Sequence, residues 1–279
     1  MVGETKARKL IKFYIPLTLY LFFLLFPFYW MVNTVFKSDN EMYNLELNPF
    51  YIHSPTLDNI VHLFTKTIFL KWMANTFFVA ILSTLIALGA SLLAAYAIQR
   101  LRFKTSQPTG VAIFLSYLVP QTILFIPLAH VIFQLKLWDS LWSLVLTYPT
   151  FLVPFCTWLL MGYFKSIPKE MEECAMIDGA SRVRIFTRII LPLCLPGILS
   201  AAIFCFTLSW NEYIYALAFI SDTFKKTVPI GLVTELVRGD VYHWGPLMAG
   251  ALCASVPVAL VYSFFVEHYV AGMTGALKE

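Results

Sequence analysis

Long apolar runs, separated by shorter polar segments, alternate along almost the whole chain. Six of the runs reach the length of about 20 residues that a helix needs to cross a bilayer; they cover residues 13–36, 72–98, 110–133, 141–164, 193–220 and 246–272. This pattern predicts an all-α integral membrane protein with six transmembrane helices. The first run is too long and too bulky for the core of a signal peptide, so we expect it to remain as a membrane helix.

One polar stretch, residues 164–196, stands out between two of the apolar runs, and it carries nine of the 36 charged residues. Lys169–Asp178 contains good helix formers with acidic residues near its start, which favours a short helix. We expect Gly179 to end that helix in the left-handed conformation. Ser181 is a suitable N-cap for a second helix that runs to about Leu191.

The composition excludes a soluble protein and gives no sign of an enzyme. Hydrophobic residues make up 59% of the chain and charged residues 13%, against about 25% charged in soluble domains. The net charge of +4 requires no nucleic-acid partner. The cysteines and histidines show no metal-ligand spacing, so we expect no metal site. The sequence contains no Walker A, G-x-S-x-G or H-E-x-x-H motif, so we predict a non-catalytic chain without a cofactor of its own.

The basic residues are distributed unevenly between the two sides of the predicted membrane helices. Thirteen of the 20 Lys and Arg lie on the side that holds both termini and residues 164–196, and seven lie on the other side. Because cytoplasmic loops carry the excess of positive charge, we predict that both termini and the polar stretch are cytoplasmic.

The polar stretch resembles the EAA motif of ABC importer permeases. Glu173-Cys174-Ala175 is followed by Gly179 and then, after nine intervening residues, by Ile189-x-Leu191-Pro192. The middle alanine of the motif is Cys174 here, which is also small and tolerates burial. Further short matches resemble the carbohydrate importers, in particular the six-helix subunit of the maltose-transporter type: Ala94–Ala97 with Arg100 and Phe103, Leu137–Ser140, Trp210–Tyr213 and Gly272–Lys278.

The resemblance implies a type I ABC importer permease fold with a cytoplasmic coupling helix. It implies a subunit of a carbohydrate importer in a bacterial or archaeal cytoplasmic membrane. The implied partners are a second permease subunit that completes a heterodimer, a homodimeric cytoplasmic ATPase that binds ATP and Mg²⁺, an extracytoplasmic substrate-binding protein, and membrane lipid. The residues implied in coupling to the ATPase are Glu173, Cys174, Ala175, Asp178, Gly179, Ala180, Arg182, Ile189, Leu191 and Pro192. In the C-terminal tail, Thr274 and Lys278 are expected to contact the ATPase.

We divide the chain accordingly into four segments. Residues 1–36 form the cytoplasmic N-terminus and first membrane helix, and residues 37–71 form an extracytoplasmic loop. Residues 72–272 form the permease core, with the coupling loop at 164–196. Residues 273–279 form the cytoplasmic tail.

Glu212 is the main ionisable group inside the apolar runs, and such a group marks a functional site by default. Glu212 and its neighbours Asn211 and Tyr213 are candidates for the translocation path, together with Tyr117 and Gln121. The alternative is that these polar residues fix helix packing near the outer interface, and the sequence leaves both interpretations open.

Three other functions remain as alternatives. The substrate of the importer could be another small polar solute, such as glycerol phosphate or a polyol. A secondary carrier would need buried acids at mid-membrane and repeated halves, and a membrane enzyme would need clustered His, Asp or Ser at a membrane face. Neither pattern is present in the sequence, which does not identify the transported solute.

Overall fold

The computed structural model describes residues 10–101, 103–238 and 241–275. Helices form most of this part of the chain, with one short antiparallel hairpin that pairs Val237 with Tyr242. The elements in chain order are α1 Ile15–Val35, α2 Asp39–Met42, α3 Asp58–Lys66, α4 Phe69–Tyr96, α5 Ser106–Tyr117, α6 Gln121–Gln134, α7 Leu141–Thr147, α8 Pro149–Ser166, α9 Glu170–Ile177, α10 Arg182–Ile185, α11 Leu191–Leu193, α12 Leu195–Trp210, α13 Ile214–Phe219, α14 Val228–Leu236, β1 Val237–Arg238, β2 Val241–Tyr242 and α15 Trp244–Gly275. Single π-helical turns cover Leu10–Tyr14, Ala97–Leu101 and Phe186–Ile190, and a 3₁₀ turn covers Thr223–Lys225.

Among the described residues, four helical segments are long and apolar enough to cross a membrane without interruption: Leu10–Val35, Phe69–Leu101, Leu141–Ser166 and Trp244–Phe265. The number is six, as predicted, if each of two bent helix pairs is counted as one span. Ser106–Tyr117 and Gln121–Gln134 meet at 97°, and Arg182–Leu193 and Leu195–Trp210 meet at 77°.

The prediction of one continuous helix over residues 110–133 is therefore wrong. The chain leaves the helix after Tyr117 and restarts at Gln121, with Pro120 at the N-cap in a non-helical conformation. Proline removes a backbone donor and clashes with the preceding turn, so a helix breaks there readily. The fifth predicted run, over residues 193–220, is also divided, because α12 ends at Trp210 and α13 begins at Ile214.

The described chain forms two compact units. In the larger unit, which holds residues 70–231 and 257–275 of the described chain, α8 lies at the centre and packs against α5, α7 and α12. Five fully buried residues recur at every fourth position along α8 and its N-cap: Tyr148, Leu152, Cys156, Leu160 and Phe164. This spacing places them on one face of the helix, so a stripe of large apolar residues fills the core of the unit.

A line of small residues on α4 lies within the same core. Ala87, Ser91 and Ala95 are completely buried, and the Ser91 hydroxyl donates to the carbonyl oxygen of Val153 at 3.2 Å. Small residues let membrane helices approach closely, which explains how α4 packs beside α8. Ala90, which belongs to the same alanine-rich run, is exposed instead.

In the smaller unit, the segment after α1 is structured around Glu41. The backbone N–H groups of His53 and Ser54 donate to its carboxylate at 2.8 and 3.1 Å, and the Ser54 hydroxyl donates at 3.0 Å. These hydrogen bonds, led by the one from the His53 backbone, outweigh burial and lower the pKa of Glu41 to about 2. The carboxylate thus fixes the course of a segment that the sequence indicated only as a polar loop.

Candidate coupling site

The helix break that we predicted at Gly179 is confirmed. Gly179 has φ +81°, and two hydrogen bonds close the end of α9: the N–H of Ala180 donates to the carbonyl of Ala175 at 2.9 Å, and the N–H of Gly179 donates to that of Met176 at 3.0 Å. This pair is the Schellman arrangement, which uses carbonyls that a helix end leaves without partners. The chain therefore turns sharply at Gly179.

The second short helix also begins where the sequence predicted. The Ser181 hydroxyl accepts a hydrogen bond from the N–H of Arg184 at 3.4 Å, as an N-cap does. Helical structure then continues through α10, the π-helical turn Phe186–Ile190 and α11. The coupling loop is thus two short helices joined by a tight turn, and it leads into the bend before α12.

The two helices of the loop contact their own subunit through one side and leave the other exposed. Ala175, Ile185 and Ile190 are buried in the core of the larger unit. On the exposed side lie two large apolar residues that the sequence did not single out, Ile177 at 85% and Val183 at 72% exposure. Apolar side chains of this size that are held out from a structured loop indicate a surface that is covered by a partner.

The ten residues assigned to coupling divide between these two sides. Exposed residues are Glu173, Cys174, Asp178, Gly179, Arg182 and Pro192, half-buried ones are Ala180, Ile189 and Leu191, and Ala175 is buried. The assignment to coupling implied that Ala175 contacts the ATPase. Ala175 faces its own core instead, because the small side chain lets α9 lie close to the subunit.

The loop is held on the subunit by Arg100, at the end of α4. Its guanidinium group donates to the carbonyl oxygen of Phe164 and, at 2.6 Å, to that of Ile167. Its Nε atom lies 3.2 Å from Oε1 of Glu172 on α9, and the side chains are only 3% and 11% exposed. Nε and Oε1 are not aligned for a hydrogen bond, so this contact is an ion pair.

Sequence reasoning assigned no role to this pair. In the sequence, Arg100 is part of a family match only. The residues assigned to coupling include Glu173 but not its neighbour Glu172. One available signal was that Glu172 lies three positions before Ala175, hence on the same helical face. A basic residue directly after a long apolar run was the second signal.

Glu212 is buried, and its carboxylate is fully engaged. The Tyr148 hydroxyl donates to Oε2 at 2.7 Å, and the backbone N–H groups of Tyr215 and Ala216 donate at 2.7 and 3.0 Å. The side chain thus caps the start of α13 and ties it to Tyr148, the N-cap of α8; these contacts agree with the packing interpretation, and a place of Glu212 in the translocation path stays a prediction.

The other residues considered for the translocation path have local contacts. The Asn211 amide donates to the Thr207 carbonyl at 2.9 Å, and the ring of Tyr117 lies 5.3 Å from that of Phe155. Tyr213 and Gln121 are half-buried. Thr274 lies near the end of α15, with its side chain outside the described part of the chain, and Lys278 lies outside the described residues.

Asp139 links two segments of the larger unit that are far apart in the sequence. The backbone N–H groups of Ser221 and Asp222 donate to one carboxylate oxygen at 2.9 and 3.0 Å, and Lys225 lies 3.1 Å from the other. Burial alone would raise the pKa of Asp139, but these donors outweigh it and hold the pKa below its usual value. The Leu137–Ser140 match therefore includes a structural anchor for the segment after α13.

Comparison with known proteins agrees with this architecture. Two relatives are each 34% identical over 91% of this chain: the sulfoquinovosyl glycerol transport system permease protein SmoH of Agrobacterium fabrum, over 89% of its length, and the trehalose/maltose transport system permease protein MalG of Thermococcus litoralis, over 91%. The inner membrane ABC transporter permease protein YcjP of Escherichia coli is 34% identical over the full length of both chains.

A solved structure shares the fold. A chain of a bacterial ABC transporter involved in the import of the acidic polysaccharide alginate superposes with a TM-score of 0.83 at 18% identity, covering 96% of this chain and 100% of that one. Residues 6–275 match the family described as "Binding-protein-dependent transport system inner membrane component". The chain belongs to this family of ABC importer permeases.

Proposed function

We propose that this chain is the permease subunit of an ATP-driven carbohydrate importer, in which it forms half of the translocation pathway. The membrane helices and the family membership support a multi-pass protein of the cytoplasmic membrane. The carbohydrate class rests on relatives named for the transport of sulfoquinovosyl glycerol and of trehalose and maltose. A second permease subunit would supply the other half of the pathway.

The observation that carries the proposal is the exposed side of the coupling loop. Ile177 and Val183 are held outward by a loop whose opposite side is packed into the subunit through Ala175 and Ile185. Such a loop is suited to transmit force, because it is rigid toward its own helices and offers apolar surface to a partner. The partner is the homodimeric ATPase, binding ATP and Mg²⁺, that the resemblance to ABC importer permeases implies; this sequence has no nucleotide-binding motif of its own.

In this assembly the remaining partner lies on the opposite side of the membrane. One relative of known structure was solved with an alginate pentasaccharide-bound periplasmic protein, which supports a substrate-binding protein as the partner here. The excess of Lys and Arg on the side of the membrane that holds residues 164–196 and both termini supports a cytoplasmic coupling loop and cytoplasmic termini. A reporter enzyme that works only in the cytoplasm should therefore be active when it is fused after Lys278. One that works only outside the cytoplasm should be inactive there.

Charge introduced into the exposed apolar surface tests the docking. In the co-expressed complex, Ile177→Glu should reduce both recovery of the ATPase in a pull-down and sugar uptake by about tenfold, because a carboxylate would be buried without a partner. Ile177→Val, which keeps an apolar side chain at the same position, is the matched control and should change neither quantity. Wild-type pull-down with Ile177→Glu would contradict the docking surface.

The substrate class needs a separate experiment. Uptake by the complete wild-type complex should be measured with a panel of labelled mono- and oligosaccharides, polyols and glycerol phosphate. The proposal predicts transport of at least one saccharide and a preference for it over the polyols and glycerol phosphate. Transport of glycerol phosphate alone would overturn the carbohydrate class while leaving the family membership intact.

A further inference from the structure

We propose that Arg100 is a positioning residue that makes α4 follow the coupling helix α9 when the ATPase moves it. The inference rests on the proposed function. It adds a route by which movement reaches a membrane helix that the loop does not continue into. The covalent chain joins the coupling loop directly to α8 on one side and to α12 on the other. α9 and α4 are not consecutive in the chain, so movement of α9 reaches α4 through non-covalent contacts such as those of Arg100.

Arg100 first joins α4 to the end of α8. Its guanidinium donates to the carbonyl oxygens of Phe164 and Ile167, at the point where α8 ends at Ser166. The last carbonyls of a helix have no partner within it, and they carry the negative end of the helix dipole. A buried cation with several N–H donors satisfies both requirements, and it fixes the end of α4 against the end of α8.

Arg100 also joins the ends of α4 and α8 to α9, through Glu172. The Nε–Oε1 distance of 3.2 Å and exposed fractions of 3% and 11% place two opposite charges together away from water. A buried charge whose partner is removed is strongly unfavourable, so α9 and the end of α4 are held at a fixed separation. Exposed charges on the outer side of the loop, such as Glu173 and Arg182, are screened by solvent and exert no comparable constraint.

Aromatic rings complete the joint. The ring of Tyr96, one turn before Arg100 on α4, lies 6.1 Å from that of Phe164 and 4.7 Å from that of Phe186. Phe186 begins the π-helical turn of the coupling loop. These contacts bring α4, the end of α8 and both halves of the loop together around Arg100, so the four parts should move as one body.

The test compares transport with ATP hydrolysis in the reconstituted complex. Arg100→Gln and Glu172→Gln should each lower substrate uptake by about tenfold while ATPase pull-down and ATP hydrolysis stay close to wild type, so the ATP hydrolysed per molecule transported rises. Arg100→Lys keeps the charge but cannot reach two carbonyls and a carboxylate together, and it should be intermediate. Arg188→Gln and Glu170→Gln, at exposed positions of the same loop, should behave like wild type.

Two further measurements separate positioning from mere structural support. Arg100→Gln with Glu172→Gln should be no worse than either change alone, since both remove one contact. Spin labels at Leu93→Cys on α4 and Lys169→Cys beside α9, both exposed positions, should keep the same separation with and without ATP in a complex whose own exposed Cys174 is replaced by Ala so that it takes no label. In the Arg100→Gln complex that separation should change with ATP.

Each outcome of these experiments either supports or overturns the role proposed for Arg100. An unchanged ratio of ATP to substrate in Arg100→Gln and Glu172→Gln would overturn the inference, and so would a label separation that is equally constant with and without Arg100. Loss of complex assembly in Arg100→Gln, Glu172→Gln and Arg100→Lys alike would show that Arg100 has only a structural role. That result would also overturn the inference. Failure of the wild-type complex to bind an ATPase or transport any saccharide would instead refute the proposed function.

Discussion

Gly179 offers the sharpest test of how the coupling loop works, because only the backbone conformation demands glycine there. Its φ is +81°, and a β-carbon at this position would meet no atom within 4 Å. A substitution is therefore not opposed by a clash. Its cost is that of placing an L-residue in the left-handed region, about 1–2 kcal/mol.

The expected costs follow the side chain. Asn enters the left-handed region more readily than other residues, so Gly179→Asn should cost less than about 1 kcal/mol. Gly179→Ala should cost about 1 kcal/mol, and Gly179→Val about 2 kcal/mol or more because the β-branched side chain is a genuine outlier there. A difference of 1–2 kcal/mol changes the ratio of two conformations by a factor of about 5–30.

The strained turn can relax only by giving up its closing hydrogen bonds, from Ala180 to Ala175 and from Gly179 to Met176. The direction of α10 would then be lost relative to α9, and the two exposed apolar residues would no longer form one docking surface. Sugar uptake and ATPase pull-down should therefore fall in the order Asn, Ala, Val at matched membrane levels of the subunit.

Gly162→Ala is the matched control. Gly162 is also exposed with open space around it, and it lies within α8, where alanine is favoured over glycine by about 0.5–1 kcal/mol. This variant should keep wild-type uptake. If Gly179→Val kept wild-type uptake and pull-down, residues 164–196 would not be a force-transmitting joint. Equal losses in all three variants would show that the left-handed backbone is not what matters.

Three further predictions concern other parts of the chain. The pKa of Glu41 is lowered to about 2 from about 4.3 in an unfolded chain, so its stabilisation is complete above the unfolded value and is lost as pH falls toward 2; limited proteolysis of the loop should rise over that window, and Glu41→Gln should remove the pH dependence. Gly231→Ala would place a methyl group 2.5 Å from the ring of Trp72 and should destabilise the protein by about 1–3 kcal/mol, seen as a lower melting temperature in detergent. Tyr148→Phe removes a hydrogen bond to the Glu212 carboxylate and should cost about 1.5–3 kcal/mol in the same measurement; an unchanged melting temperature would contradict the packing role of that carboxylate.

The elements that depend on local chemistry could be predicted from the sequence. The length of the apolar runs predicted the membrane helices. The absence of a β-carbon predicted the turn at Gly179, and the Ser181 hydroxyl predicted the start of α10. The breaks inside two of the runs could not be placed in the same way. Proline is common in membrane helices, and Pro127 and Pro154 lie within intact helices while Pro120 begins one. Which proline breaks a helix depends on neighbouring helices that satisfy the freed backbone groups.

Glu172 and Glu173 show why the site was only partly predictable. Both are acidic residues in the first turn of α9, where the helix dipole favours either of them. Successive residues on a helix point about 100° apart, so Glu172 and Glu173 cannot both lie on the narrow face that packs on the subunit. The sequence shows that such a choice exists, but it contains no local signal that the inward position has a buried partner 72 positions earlier in the chain, at Arg100.

The division between these neighbours explains how a helix of eight residues, Glu170–Ile177, can serve two partners. A helix this short has little stability of its own, so a docking surface on it would be soft unless one face were fixed by tertiary contacts. Glu172 and Ala175 provide that face, and they leave Glu173, Cys174 and Ile177 outside. If the inner ion pair fixes the geometry that the outer face presents, then Glu173→Ala should weaken ATPase docking only slightly, since an exposed pair contributes at most about 1 kcal/mol. Glu172→Ala should instead destabilise the subunit by about 3–5 kcal/mol, because it leaves Arg100 buried without its carboxylate, while the ATPase still docks on the outer face. Melting temperature in detergent and uptake, measured side by side for these two variants, would contradict this order if Glu173→Ala proved the more damaging.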